Sequence, residues 1–245
     1  MIERSTATTT HGRYLMVQPV AANPAGVLVG FHGYAEGAEA QLERLRAIPG
    51  SDRWTLVSIQ GLHRFYQRRT NEVIASWMTR QDRELAIADN VAYVERVVDE
   101  VSRECAFAHH VGDELRRDKS AFARPTDDEL RRVKLRLVFA GFSQGVAMAF
   151  RAACATLRRV DGIIAVGGDV PPEIDAGSLA QVRRALLCRG ERDEWYTVAK
   201  WQHDVARIRH SGAAVDPVTF EGGHEWSGTV LEKAAVFLQD LPEPT

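Results

Sequence analysis

The pentapeptide Gly141-Phe142-Ser143-Gln144-Gly145 constrains this chain more than any other feature. The apolar residues Leu135, Leu137, Val138, Phe139 and Ala140 lead into it and predict a buried strand. Val146-Ala147-Met148-Ala149-Phe150 leads out and predicts the start of a helix. A strand that turns sharply into a helix at a serine lifts the hydroxyl out of the sheet and aims the next backbone N–H at a developing oxyanion. Glycine is needed on both sides because the turn is tight and the neighbouring backbones are close. Such a turn needs a sheet beneath it and helices packed against that sheet.

The rest of the chain supplies them. Strands are predicted over residues 13–20, 25–31, 54–59, 135–141, 161–167, 184–189 and 214–220, and helices over 37–47, 81–104, 144–157, 195–211 and 227–239. In the long helix, Leu85, Ala88, Val91, Val94, Val97, Val98 and Val101 include i, i+3, i+4 spacings. Alternating strands and helices imply an α/β fold, with a mostly parallel central sheet and helices on both faces.

A serine hydroxyl is a poor nucleophile until a base takes its proton, and the base needs an orienting carboxylate. The apolar run Ala185-Leu186-Leu187-Cys188 ends in Arg189-Gly190-Glu191-Arg192-Asp193, which places Asp193 just past a strand end. Asp169, after another strand, is the main rival acid, and Glu191 is a weaker one. The last predicted strand opens into Glu221-Gly222-Gly223-His224-Glu225-Trp226, a loop that carries an imidazole back over the sheet. The order Ser143, Asp193, His224 is the chain order of α/β-hydrolases and differs from those of chymotrypsin-like and subtilisin-like enzymes. Near the N-terminus, Gly26–Phe31 predicts a strand and His32-Gly33-Tyr34 follows it. The loop after that strand supplies the second oxyanion donor in this fold. The backbone N–H groups of Tyr34 and Gln144 are therefore the expected oxyanion hole, and His32 is expected to prop the loop.

Taken together, Phe31-His32-Gly33, Ser76-Trp77, Gly141–Gly145, Gly190-Glu191-Arg192-Asp193 and Gly223-His224-Glu225 resemble the phospholipase/carboxylesterase family of α/β-hydrolases, which includes acyl-protein thioesterases. The resemblance spans most of the chain. It implies a metal-independent serine hydrolase of carboxylic esters or thioesters, with no cofactor and a small-molecule ester as partner. Two positions depart from the family pattern: Val146 and Ala35 stand where many members have glycine. The same triad could also serve a peptidase or an acyltransferase, and the fold could serve a ligand receptor with vestigial hydrolysis.

The 245 residues fit a single domain, 1–245. A formal charge of -2 offers no basic footprint for nucleic acid. No stretch has the continuous apolar length of a membrane span, and the first residues lack the apolar core of a secretory signal. Cys105, Cys154 and Cys188 are an odd, widely spaced set in apolar contexts, expected to be buried thiols rather than disulfides or metal ligands. His63, His109 and His110 lack ligand spacing, so no metal site is expected. A cytoplasmic location follows, and oligomeric state, including a homodimer, stays open.

Two regions are less ordinary. Residues 106–133 contain His109-His110 and a Thr126-Asp127-Asp128-Glu129 capping box, and are expected to form a peripheral insertion with one or two short helices. Arg64, Arg68, Arg69 and Arg80 lie among Phe65, Tyr66 and Trp77 after the third predicted strand, whose C-terminal end should face Ser143. Tyr66, Trp77, Trp195 and Trp226 are candidate pocket residues, with inward packing as the competing reading.

Overall fold

The run that leads into the pentapeptide forms the central strand of a computed structural model, which describes residues 1–2, 4–19, 24–117 and 135–242. Among the described residues nine strands follow in order: β1 (Arg13–Val17), β2 (Val27–Phe31), β3 (Thr55–Gln60), β4 (His63–Tyr66), β5 (Val73–Ser76), β6 (Leu137–Phe142), β7 (Gly162–Val166), β8 (Arg184–Gly190) and β9 (Ala214–Phe220). Between and after them lie α1 (Ala38–Ala47), α2 (Arg83–Arg117), α3 (Gln144–Ala155), α4 (Ala176–Leu179), α5 (Val198–His210) and α6 (Gly228–Gln239). Seven strands form one sheet in the order β1-β3-β2-β6-β7-β8-β9, in which β1 alone runs antiparallel to its neighbour.

The inner strands are apolar along their whole length because both faces are covered. Val27, Val29 and Phe31 of β2 and Leu137 and Phe139 of β6 face a core shared with α2, α3 and α5. The alternate residues Leu28, Val138 and Ala140 face a second core with α1 and α6. From β2 the chain moves outward to β3, then returns across β2 to β6 on its other side. The C-terminal ends of β2 and β6 thus flank a topological switch point, where open α/β sheets form their ligand crevice.

Two expectations are corrected. The long helix continues past residue 104 to Arg117; no proline interrupts the run after Glu104, and Ala106 is a strong helix former. The first part of the expected 106–133 insertion is therefore helix. Its capping box, Thr126 to Glu129, lies outside the described residues. The basic-aromatic stretch is a two-stranded antiparallel ribbon, β4 with β5, pairing His63 with Ser76 and Tyr66 with Val73. With three of its four residues exposed, β4 lacks the apolar alternation that marks a half-buried strand.

Candidate active site

Ser143 sits at the junction of β6 and α3 with φ 53° and ψ -119°, a backbone conformation that costs a residue with a Cβ roughly 1–3 kcal/mol. The surrounding fold holds it there. The Ser143 N–H donates to the Val166 carbonyl of β7 at 2.9 Å, and the Ser143 carbonyl accepts from Val146 N–H at 3.0 Å. Gly145 is where the elbow passes β2: a Cβ there would lie 2.1 Å from the Phe31 carbonyl oxygen and 2.6 Å from that of His32. Val146, the departure from the family pattern, is fully buried in the first core.

The elbow carries Ser143 Oγ to 2.8 Å from His224 Nε2. His224 Nδ1 lies 2.9 Å from Asp193 Oδ2. Asp193 is 3% exposed, and its other oxygen, Oδ1, accepts from the N–H groups of Trp195 and Tyr196, each at 2.9 Å. Asp193 Oδ1 is thus committed to backbone donors, and Oδ2 is left for the imidazole. Gly167, at φ 65°, gives the ring its room: a Cβ there would stand 3.1 Å from His224 Cε1. The Phe142 ring flanks the imidazole at 5.1 Å between centroids. The rival acid Asp169 pairs instead with Lys200 at 3.0 Å.

The loop after β2 is built around two side chains that pattern reading did not single out. Glu36 Oε2 accepts from the Gly33 N–H at 2.8 Å, and both Glu36 oxygens take the Arg44 guanidinium. That guanidinium also lies 4.2 Å above the Phe142 ring, tying the loop to the elbow. Ala35 N–H donates to the Ala75 carbonyl at 3.0 Å. Tyr34 N–H thus lies between two committed donors, while Gln144 N–H opens α3, where no intrahelical acceptor exists. Ala35, the second departure from the family pattern, holds φ 59°, the left-handed region that favours glycine. A carboxylate three residues after Gly33, with an arginine on the following helix, was the available signal for this clamp.

His32 has a propping role. It is fully buried, donates from Nδ1 to the Gly33 carbonyl at 2.6 Å and accepts at Nε2 from Gly61 N–H at 3.0 Å. That bonding pattern assigns the neutral Nδ1–H tautomer, and burial lowers the ring's pKa further from its ordinary value. Gln144 contributes its side chain as well as its N–H. Its Oε1 accepts from Trp77 N–H at 3.0 Å and from Ser76 Oγ at 3.2 Å, which links the Ser76-Trp77 block to the elbow.

For Glu36, burial alone would raise the carboxyl pKa, but Arg44 and the Gly33 N–H outweigh it and hold it below the ordinary carboxylate range. A depressed carboxyl pKa stabilises the fold above the unfolded-state value, and that contribution is lost as pH falls through the folded-state value. Glu36→Gln is accordingly expected to cost about 1–3 kcal/mol at neutral pH. The gap between urea melts of the variant and wild type should start to narrow near about pH 4 and close only as pH falls through the lower folded-state value. A gap that does not narrow at all on acidification below about pH 4 would show that the charge is not the cause.

A cleft of about 290 Å³ opens beside Ser143, with walls that include Met78, Gln144, Ala147, Gly168, Pro172 and Trp195. Of the four aromatic candidates, Trp195 alone lines it. Trp77 is fully buried, donating from Nε1 to the His32 carbonyl at 2.8 Å and stacking on the His32 ring, so it supports the loop from below. Tyr66 is 67% exposed on the ribbon. Trp226 packs partly buried against the second core. A larger cleft of about 730 Å³ lies between α1 and the ribbon, behind Glu36 and away from Ser143.

A mostly parallel sheet with a serine elbow at its switch point defines an α/β-hydrolase. The chain belongs to the phospholipase/carboxylesterase family, whose model matches residues 13–241. It is therefore a hydrolase of the carboxylesterase/phospholipase type. Among solved structures, it resembles esterase PE8 at 19% identity and a TM-score of 0.63, over 95% of this chain and 100% of that one. A carboxylesterase from Mesorhizobium loti shares 19% identity at a TM-score of 0.64, over 94% of this chain and 95% of that one. An acyl-protein thioesterase 2 from Zea mays shares 14% at 0.64, over 94% and 98%. At such identities the likeness is one of fold. No curated protein matches the chain in sequence. Among the described residues, no helix is long and apolar enough to cross a membrane.

Proposed function

We propose that Ser143, His224 and Asp193 are a catalytic triad through which this protein cleaves carboxylic esters or thioesters of small or medium acyl groups. The observation that carries this reading is the continuous chain Ser143 Oγ to His224 Nε2 at 2.8 Å and His224 Nδ1 to Asp193 Oδ2 at 2.9 Å. His224 takes the Ser143 proton at Nε2 as Oγ attacks the carbonyl. Asp193 accepts from Nδ1–H throughout, holding the tautomer and stabilising the imidazolium. The tetrahedral oxyanion lies between Tyr34 N–H and Gln144 N–H, where each donor contributes about 2.7–4 kcal/mol to the transition state. His224 then protonates the leaving alcohol or thiol, and water repeats the cycle on the acyl-enzyme.

The cleft volume of about 290 Å³ is at the small end for ligand pockets and supports short to medium acyl chains. The free cysteines are inert by environment: burial pushes Cys154 up to about 11 and Cys188 up to about 12, so neither competes with Ser143 as nucleophile. Free thiols also support a cytoplasmic location. The test is a 4-nitrophenyl ester series from acetate to palmitate, with fluorophosphonate labelling followed by peptide mapping. Turnover that peaks at short or medium chains, with label on Ser143, is the expected result. A peak at palmitate would overturn the assignment of acyl size. No turnover and no label would overturn the triad.

A further inference from the structure

The first two turns of α3 present Gln144, Ala147 and Arg151 to the cleft beside Ser143, at positions that share one helix face. Arg151 is 7% exposed. Its Nε and Nη2 both donate to Glu173 Oε1, at 2.8 and 2.6 Å. Its Nη1 is shielded from water and has no acceptor among the described residues. A dry donor on a charged group is rare enough in folded proteins to need a reason.

The neighbours supply one. Arg83 and Lys200 line the same cleft, and the acid that lines it, Asp169, is already paired with Lys200 at 3.0 Å. Arg151 shares its charge with Glu173, whose side chain is 50% exposed. The cleft wall therefore carries a surplus of positive charge, with Arg83 adding to the field at Arg151. A narrow cleft of one sign concentrates ligands of the other.

We propose that this cleft selects esters that carry an anionic group, a carboxylate or a phosphate, held between Arg151 and Arg83 while Ser143 attacks the ester carbonyl. The inference rests on the serine-hydrolase reading and names its substrate class. Arg151 lies on the order of 10 Å along the α3 axis from Ser143, and its side chain leans back towards the helix N-terminus. The anion thus sits several bonds from the scissile carbonyl. A small swing of the guanidinium turns Nη1 onto the entering oxygen, as the second prong of a fork whose other edge stays on Glu173.

The test compares 4-nitrophenyl hydrogen adipate with its methyl-capped diester. A second arm compares 4-carboxyphenyl hexanoate with its methyl ester, so that an anion on the acyl side is distinguished from one on the leaving group. Adipate and glycerol phosphate as competitive inhibitors distinguish carboxylate from phosphate. In one arm or the other, wild-type kcat/KM should favour the charged ester by about 10- to 100-fold. That ratio should fall towards one in Arg151→Met and rise in Glu173→Gln, which removes the competing carboxylate. The two variants thus move the ratio in opposite directions. An ion pair that only pins the Glu173 loop to α3 would instead lower thermal stability in both and move the ratio in neither, and that result would overturn the inference. If Arg151→Met fails to fold, a ratio in Glu173→Gln equal to wild type overturns it alone. Turnover of the capped ester that Ser143→Ala abolishes preserves the triad even if the ratio is one. Absence of all turnover removes both readings.

Discussion

Ser143→Ala is expected to lower kcat on a 4-nitrophenyl ester by about 10⁴- to 10⁶-fold while leaving the protein folded. The loss is large because, in the proposed mechanism, the variant removes the atom that bonds the acyl group and leaves His224 Nε2 no serine proton to take. Some acceleration over water should survive, since the proposed oxyanion donors, the Tyr34 and Gln144 N–H groups, are untouched by the substitution. Folding survives because the backbone bond that fixes the elbow, Ser143 N–H to the Val166 carbonyl at 2.9 Å, does not involve the hydroxyl. What is lost is one partly buried hydrogen bond to His224, about 1 kcal/mol, or roughly 2–4 °C of melting temperature. Ser143→Gly should melt above Ser143→Ala, because glycine adopts φ 53° and ψ -119° without a Cβ to strain. Together they would show that the chain keeps a strained serine at a cost in stability, which is the exchange expected of a working nucleophile. Calorimetry beside steady-state rates checks both. Full activity in Ser143→Ala would sink the assignment.

Much of this arrangement is legible in the sequence because its signals are local. The elbow pentapeptide, the apolar run before it and the helix after it lie within one stretch, and the central strands read as continuous apolar runs because the sheet is buried on both faces. The order of Ser143, Asp193 and His224 is likewise a linear property. What stays hidden depends on contacts between distant segments. Glu36 means little until α1 brings Arg44 back to it, and Arg151 reads as an ordinary helix arginine until the Glu173 loop and Arg83 close around it. Trp77 misled for the same reason: an aromatic residue near a strand end is as consistent with a pocket wall as with the buried prop that its bond to the His32 carbonyl shows it to be. The β4–β5 ribbon is not legible because His63 to Tyr66 carry polar and aromatic side chains on an exposed strand, where pairing rather than burial defines the element.

Asp193→Asn is expected to lower kcat by about 10⁴-fold with no comparable loss of stability. The direction follows from the hydrogen bonds around the carboxylate. Oδ1 accepts from the N–H groups of Trp195 and Tyr196, so the asparagine must keep its carbonyl oxygen on that side. Its NH2 group then faces His224 Nδ1 at the place where Oδ2 now lies 2.9 Å away. Facing a donor, Nδ1 gives up its proton, and the neutral ring carries it on Nε2 instead. An Nε2–H donates to Ser143 Oγ and cannot take the serine proton. The variant should therefore keep the geometry of the site and hold the imidazole in the wrong tautomer. Nitrogen-15 shifts of the histidine ring read the tautomer directly, and single-turnover acylation rates read its consequence. Asp169→Asn is the contrasting variant, since Asp169 pairs with Lys200 and gives nothing to the imidazole. An equal fall in kcat from Asp169→Asn, or an Asp193→Asn enzyme whose ring keeps its Nδ1 proton, would move the acid role away from Asp193.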